Sequence, residues 1–183
     1  MIKDATRTGE IINRIRAMVK KAPPQREPLN INDTITEVIA LVLAEVRRNG
    51  VSAHAEVSND LPPVLGDRIE LQQVVLNLII NAIEAMSGID QIHRRLLISS
   101  TRDEPNGVLV TVSDSGTGLE PTSLDRLFDA FYTTKVDGMG MGLAISQNII
   151  EANGGRLWAT PNLPQGATFQ FRLPADGVVA GGE

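Results

Sequence analysis

The chain has 183 residues, 42% of them hydrophobic and only 3% aromatic, with a formal net charge of −5 and no cysteine. That length and composition fit one globular domain, or one domain plus an appendage, with a core made mostly of Leu, Ile, Val and Ala. The acidic balance argues against a chain built to hold nucleic acid. The lack of thiols excludes disulfides, thiolate metal sites and a cysteine nucleophile. The longest apolar run, "VIALVLA" (38–44), is far too short to span a bilayer, and no signal-peptide pattern opens the chain.

In chain order, residues 1 to about 21 read as a helix with Ile11, Ile12, Ile15, Met18 and Val19 on one side. Ala5, Ile12 and Val19 recur at heptad spacing, so the helix is either packed on its own domain or the end of a bundled one. "APPQREP" (22–28) breaks it and makes a linker. A short strand is expected near Leu29 to Ile31, then a helix from Asn32 as N-cap to about Arg48. "VSAHAEV" (51–57) alternates like a strand and "LPPVLG" (61–66) reads as a loop. Asp67 and Glu70 mark a capping-box start for a helix running to about Met86. "RLLISST" and "GVLVTVS" predict a hairpin joined by "DEPNG". A helix is expected from Gly142 to Asn153, ended by Gly154 and Gly155. "GRLWAT" and "ATFQFRLP" form a last pair of strands, and 175–183 reads as a flexible tail. Mixed helices and hairpins indicate an α+β fold, a two-layer sandwich with helices on one face of a mostly antiparallel sheet.

The 67–86 helix carries the first chemical signal. Leu71, Val74, Val75, Leu78, Ala82 and Met86 make one apolar face, and Leu76, Ile79 and Ile83 widen it. What remains is a narrow line of Glu70, Gln73, Asn77, Asn81 and Glu84, three or four residues apart. A solvent face is one reading. Asn costs helix propensity, however, so two in register suggest amides facing something polar, and an amide oxygen can ligate Mg²⁺ without adding charge. Next, "VTVSDSGTG" delivers Asp114 at a strand end before an immediate turn, where a carboxylate can accept from an exocyclic amine. An ordinary Asp-led turn is the alternative. Finally "GMGMGLA" (138–144) opens a helix, where free N–H groups beside glycines suit a phosphate.

The ordered set "NLIINAIEAM", "DSGTG", "LFDAFYTTK", "GMGMGLA" and "GATFQF" closely resembles the catalytic ATP-binding domain of sensor histidine kinases, over residues about 27 to about 174. That domain shares its Bergerat-type fold with DNA gyrase, Hsp90 and MutL. "TTK" followed by "GMGMGLAIS" and "EANGGRLWA" is most similar to the oxygen-sensing and nitrogen-regulatory bacterial kinases. "EIINRIRAMVKK" resembles the end of the second helix of their dimerisation and phosphotransfer domain. The implied organisation is 1–22 for that helix end, 23–28 for the linker, 29–174 for the catalytic domain and 175–183 for the tail.

The resemblance implies roles for single residues. Asn81 corresponds to the ligand of the Mg²⁺ that bridges the ATP phosphates, and Asn77 stands where the ATP-hydrolysing relatives carry a Glu that activates water. An amide cannot act as a base at neutral pH. Asp114 corresponds to the adenine-reading carboxylate, Gly116 and Gly118 to its turn, and Thr168 to the Thr that supports the adenine site. Phe128 and Phe131 anchor the lid segment, and Thr133, Thr134 and Lys135 belong to the nucleotide contacts, with Lys135 reaching phosphate oxygens. Gly138, Gly140, Met141, Gly142 and Leu143 correspond to the lid hinge and phosphate loop. Glu84 sits where several kinases place Lys or Arg near phosphate, which shifts weight to Lys135. Asn153 replaces a frequent His and reads as peripheral.

The family's phosphoacceptor His lies upstream of everything in this chain, and neither His54 nor His93 has its sequence context. The implied reaction is transfer of the ATP γ-phosphoryl group to a histidine on the parent kinase's dimerisation domain, for relay to a response regulator. The implied setting is a cytoplasmic homodimer in the full-length protein, with no nucleic acid partner and no membrane contact by this chain. Two other readings remain open at this stage: a stand-alone ATPase of the same fold, and a regulatory module that binds nucleotide without turnover.

Overall fold

The computed structural model describes residues 25–133 and 140–177. The expected N-terminal helix therefore lies outside the described residues. Seven strands and three α-helices follow: β1 (Glu27–Leu29), α1 (Ile31–Arg48), β2 (Ser52–Val57), β3 (Val64–Gly66), α2 (Arg68–Ala85), β4 (Arg95–Asp103), β5 (Gly107–Asp114), α3 (Gly142–Ala152), β6 (Arg156–Pro161) and β7 (Ala167–Pro174). Short 3₁₀ turns occupy Gln91–His93 and Pro121–Arg126.

A five-stranded sheet runs in the order β2-β4-β5-β7-β6. Only the β2–β4 pair is parallel, and the other pairs are antiparallel. The period-two alternation of strands decides which side each residue faces. Leu96, Ile98, Val108, Val110, Val112, Phe169, Phe171 and Leu173 are all buried, and the register places them on one face. The three helices cover that face, so the expected two-layer α+β sandwich is what forms. Ser100 is a polar member of this face. Its hydroxyl donates to Asn32 Oδ1 at 2.6 Å, and Asn32 Nδ2 donates to Ser58 O at 2.7 Å, so these buried groups are paired.

Helix α2 is the central element. Leu71, Val74, Val75, Leu76, Leu78, Ile79, Ile80, Ala82 and Ile83 are buried along its length, more of its circumference than the alternating apolar face alone would cover. Asp67 caps it, its side chain accepting from the Ile69 and Glu70 N–H groups at 2.8 and 3.1 Å.

Four local expectations are corrected. The N-cap of α1 is Asn30, whose Oδ1 accepts from Asn32 N at 2.9 Å, while Asn32 is drawn off to Ser58 and Ser100. The first strand is Glu27–Leu29, so the second half of the expected linker is ordered structure. It pairs antiparallel with Val64–Gly66, a segment read from its prolines as loop. The short strand survives because both prolines precede it. At the other end, Ala175 forms a bridge with Val64, and Asp176 N donates to Pro63 O at 2.7 Å. The first residues of the expected tail are thus tied down, and residues 178–183 lie outside the described ones.

Among the described residues, no helix is long and apolar enough to cross a membrane.

Candidate nucleotide site

Asp114 ends β5 on the helix-covered face and is only 5% exposed. Its Oδ1 accepts from Gly116 N at 2.7 Å and from Ala167 N at 3.3 Å. Burial raises its pKa above the ordinary carboxylate value, and the two backbone N–H groups pull it back by favouring the charged form. The loop that follows lies against the C-terminal end of α2. Thr117 N donates to Ala85 O at 3.1 Å, and a Cβ on Gly116 would stand 2.7 Å from that same oxygen. Glycine is required there by close approach. Gly118 adopts φ +84° and backs onto Gly166, which has φ +109° and sits against the Asp114 carbonyl. The DSGTG turn and the turn before β7 therefore interlock around Asp114.

Helix α3 begins farther toward the N-terminus of α2, beside Asn77. Gly142, its first residue, packs against the Asn77 side chain, where a Cβ would collide with Oδ1. One turn on, the buried Ser146 accepts from Asn77 Nδ2 at 3.0 Å. Met141 occupies the N-cap position and its side chain supplies no cap hydrogen bond, so the first amides of α3 are not capped from within. Leu143 is partly buried against the core.

The polar line on α2 therefore runs between two loops. Asn77 touches α3, Ala85 touches the Asp114 turn, and Asn81 and Glu84 lie between them, half-buried and exposed respectively. The amide oxygens of α2 fit a Mg²⁺ that arrives with phosphates, because such an ion takes one or two protein oxygens and fills its remaining positions with phosphate and water. Among the described residues no group of three His, Cys, Asp or Glu side chains could hold a resident metal.

The lid anchors divide. Phe128 packs against the core, as expected. Phe131 does not: it is 74% exposed, with a left-handed φ of 68°, held by its own N–H donating to Gly140 O at 2.9 Å. Gly140 is also left-handed, at φ +62°. Its Cβ position is filled by the Phe131 and Tyr132 backbone, which is the physical reason for glycine there. Arg126 stacks 4.8 Å from the Tyr132 ring. Thr133 is exposed, and Thr134, Lys135 and Gly138 lie outside the described residues.

Thr168 is displaced from its expected place. Odd-numbered Phe169 and Phe171 face the helices, so Thr168 faces the other side of the sheet from the Asp114 carboxylate. Its neighbour Ala167 contacts that carboxylate, through its N–H. The Thr168 hydroxyl instead donates to Asn162 Oδ1 at 2.6 Å and lies 2.9 Å from Ser113 Oγ. Asn162 carried no sequence signal beyond preceding a Pro-Gly turn. Asn153, read as peripheral, is a buried C-cap whose Nδ2 donates to Ile149 O at 2.7 Å. His54 lies on the exposed edge strand β2, and His93 in the exposed turn before β4.

Residues 66–177 match the model of the histidine kinase-, DNA gyrase B- and HSP90-like ATPase family. The chain is 40% identical over 173 residues to the sensor protein FixL of Bradyrhizobium diazoefficiens, covering 94% of this chain and 34% of FixL. The nucleotide-free catalytic domain of the histidine kinase ThkA superposes with a TM-score of 0.72 at 33% identity, covering 82% of this chain and 95% of that one. ThkA in complex with the response regulator TrrA gives 0.72 at 30% identity, over 93% of this chain and 48% of that one. The family match spans more than half of this chain, and the fold and order of motifs agree with it. The chain belongs to the histidine kinase-, DNA gyrase B- and HSP90-like ATPase family, and its nucleotide-binding domain is of the sensor histidine kinase type. It spans about a third of the length of FixL, and less of some other curated relatives.

Proposed function

We propose that this chain is the catalytic domain of a sensor histidine kinase that binds ATP with Mg²⁺ and phosphorylates a histidine on a dimerisation domain. The observation that carries the reading is the pairing of a buried, backbone-held Asp114 near one end of the α2 polar line with the start of α3 beside Asn77, where the Met141 side chain makes no cap hydrogen bond. The first suits the exocyclic amine of adenine, and the second suits phosphate oxygens. Asn81 lies between, placed to offer an amide oxygen to Mg²⁺, which supplies charge neutralisation at the phosphates. Gly116, Gly118 and Gly140 let the backbone approach, and the family resemblance assigns Thr133, Thr134 and Lys135 to the phosphate side. In the transfer itself the bond from the γ-phosphorus to its bridging oxygen breaks, a bond from that phosphorus to an imidazole nitrogen forms, and ADP leaves. The domain's share is positioning and the exclusion of water.

Hydrolysis by the isolated domain is disfavoured by Asn77. It is an amide rather than a carboxylate, and its N–H is spent on Ser146. A response regulator then takes the phosphoryl group, as the ThkA–TrrA pairing suggests by analogy. On this reading the domain works in the cytoplasm, as part of a homodimeric parent kinase.

The test uses labelled ATP, Mg²⁺ and a separately supplied acceptor domain. Acid-labile phosphohistidine should form on the acceptor, with little hydrolysis in its absence. Asp114→Asn should weaken ATP binding about tenfold or more, the worth of one hydrogen bond to a charged group. Brisk hydrolysis without acceptor would favour the stand-alone ATPase. Equal ATP affinity of the two proteins by calorimetry would remove Asp114 from the site.

A further inference from the structure

Three polar side chains converge on the sheet face turned away from the helices, directly beneath Asp114. Asn162 follows β6, and its backbone N–H donates to Gly166 O at 2.9 Å, which already closes the β6–β7 turn. The side chain does something else. Its Nδ2 donates to Ser113 Oγ and to the Asp114 carbonyl, each at 3.0 Å, and its Oδ1 accepts from Thr168. The Ser113 and Thr168 oxygens are 2.9 Å apart. With Thr168 donating to Asn162, Ser113 donates to Thr168 and receives from Asn162, so each hydroxyl proton has one destination. The second amide proton is left for Asp114, and every polar atom of the Asn162 side chain is used.

Asp114 is thereby held from two sides. Gly116 N and Ala167 N fix its carboxylate on the helix side, and Asn162 fixes its main chain on the other. Gly166 leaves no slack, because it packs against the same carbonyl. A hydrogen bond to a ligand amine weakens steeply with distance and angle, so a small shift of this strand end is felt at the base.

We infer that Asn162 is a positioning residue for base recognition, setting the main chain of Asp114 so that its carboxylate meets the exocyclic amine of an adenine nucleotide. The inference rests on the nucleotide reading above. Its signature is discrimination between ATP and inosine triphosphate, which carries a carbonyl oxygen where adenine has the amine.

The experiment measures ATP and inosine triphosphate affinity by calorimetry, with Mg²⁺, alongside thermal unfolding. Wild type should prefer ATP, and Asp114→Asn should lose that preference. Asn162→Ala should weaken ATP about three- to tenfold with little change for inosine triphosphate, so that the preference shrinks. Asn162→Asp, which keeps the acceptor for Thr168 but turns an oxygen toward the Asp114 carbonyl, should do at least as much. Thr168→Val, which removes only the hydroxyl that orients Asn162, should shift the preference the same way by less. An unchanged preference in Asn162→Ala, whatever its melting temperature, overturns the inference. If that variant does not fold, an unchanged preference in Thr168→Val overturns it. A wild-type preference that survives Asp114→Asn overturns the adenine reading itself, before Asn162 is at issue.

Discussion

The two ends of the α2 polar line are built by different means. At the Asp114 end, one carboxylate and one carbonyl are fixed by hydrogen bonds from four separate points of the chain: Gly116, Ala167, Asn162 and, through Asn162, Thr168. Two glycines with positive φ interlock around them. At the α3 end the Asn77 side chain bonds to Ser146 and ties the two helices midway along the polar line. Beside it, Phe131 is exposed in a left-handed conformation held through Gly140. A planar base needs one geometry, so its receptor can be rigid. A phosphate chain must be admitted, enclosed and released, so a receptor built from separate elements that can part suits it.

Substitutions at the two ends should therefore separate stability from binding. The largest effect is expected for Gly166→Ala. Its φ of +109° disfavours any side chain, and the new Cβ would meet the Asp114 carbonyl, so neither backbone nor neighbour can yield. Strain and overpacking each cost about 1–3 kcal/mol, enough to lower the melting temperature by roughly 5 °C or more. A melting temperature equal to wild type would show that the Asp114 end is less rigid than its bonds imply.

Gly142→Ala should do the opposite. Its φ is not left-handed, and the obstacle is the end of the Asn77 side chain, which can rotate at the loss of its bond to Ser146. That loss, about 1 kcal/mol, is offset by the better helix propensity of Ala. Melting should change little while affinity for ATP over adenosine falls, because only the phosphate side has moved. Equal losses for ATP and adenosine in calorimetry would break the proposed division.

The smallest effect concerns Asp114 without nucleotide. Burial raises its pKa in the folded protein, so the charged form is disfavoured relative to the unfolded chain. Such a group favours folding most below its unfolded pKa, and that advantage is lost as pH rises through its folded pKa. Asp114→Asn removes the charge and keeps an acceptor oxygen for Gly116 and Ala167. The variant should melt at or slightly above the wild-type temperature at neutral pH, and lose that margin on acidification. A variant that melts well below wild type at neutral pH would mean that the two N–H bonds outweigh desolvation.

The long periodic elements were readable from sequence because periodicity reports burial directly. The near-complete apolar surface of α2, leaving only a thin polar line, pointed to the burial of that helix. What was not readable depended on contacts remote in sequence. Asn30 and Asn32 are equivalent as caps until Ser100 claims Asn32. Val64–Gly66 is a strand only because Glu27–Leu29 pairs with it. Thr168 matched its motif, yet strand parity sends its side chain to the other face, where it meets Asn162. Asn162 itself offered little local, since both acceptors of its amide lie 48 and 49 residues away on β5.

The segment from Gln25 to Leu29 has a mechanical consequence. Gln25 N donates to Asp67 Oδ2 at 2.7 Å, Arg26 Nη2 donates to Ala152 O at 2.8 Å, and the next three residues pair with β3. These contacts reach the start of α2, the end of α3 and the strand that also receives Ala175. The chain thus enters the domain through a clamp rather than a swivel. A displacement at Gln25 therefore bears on the start of α2 and the end of α3 together.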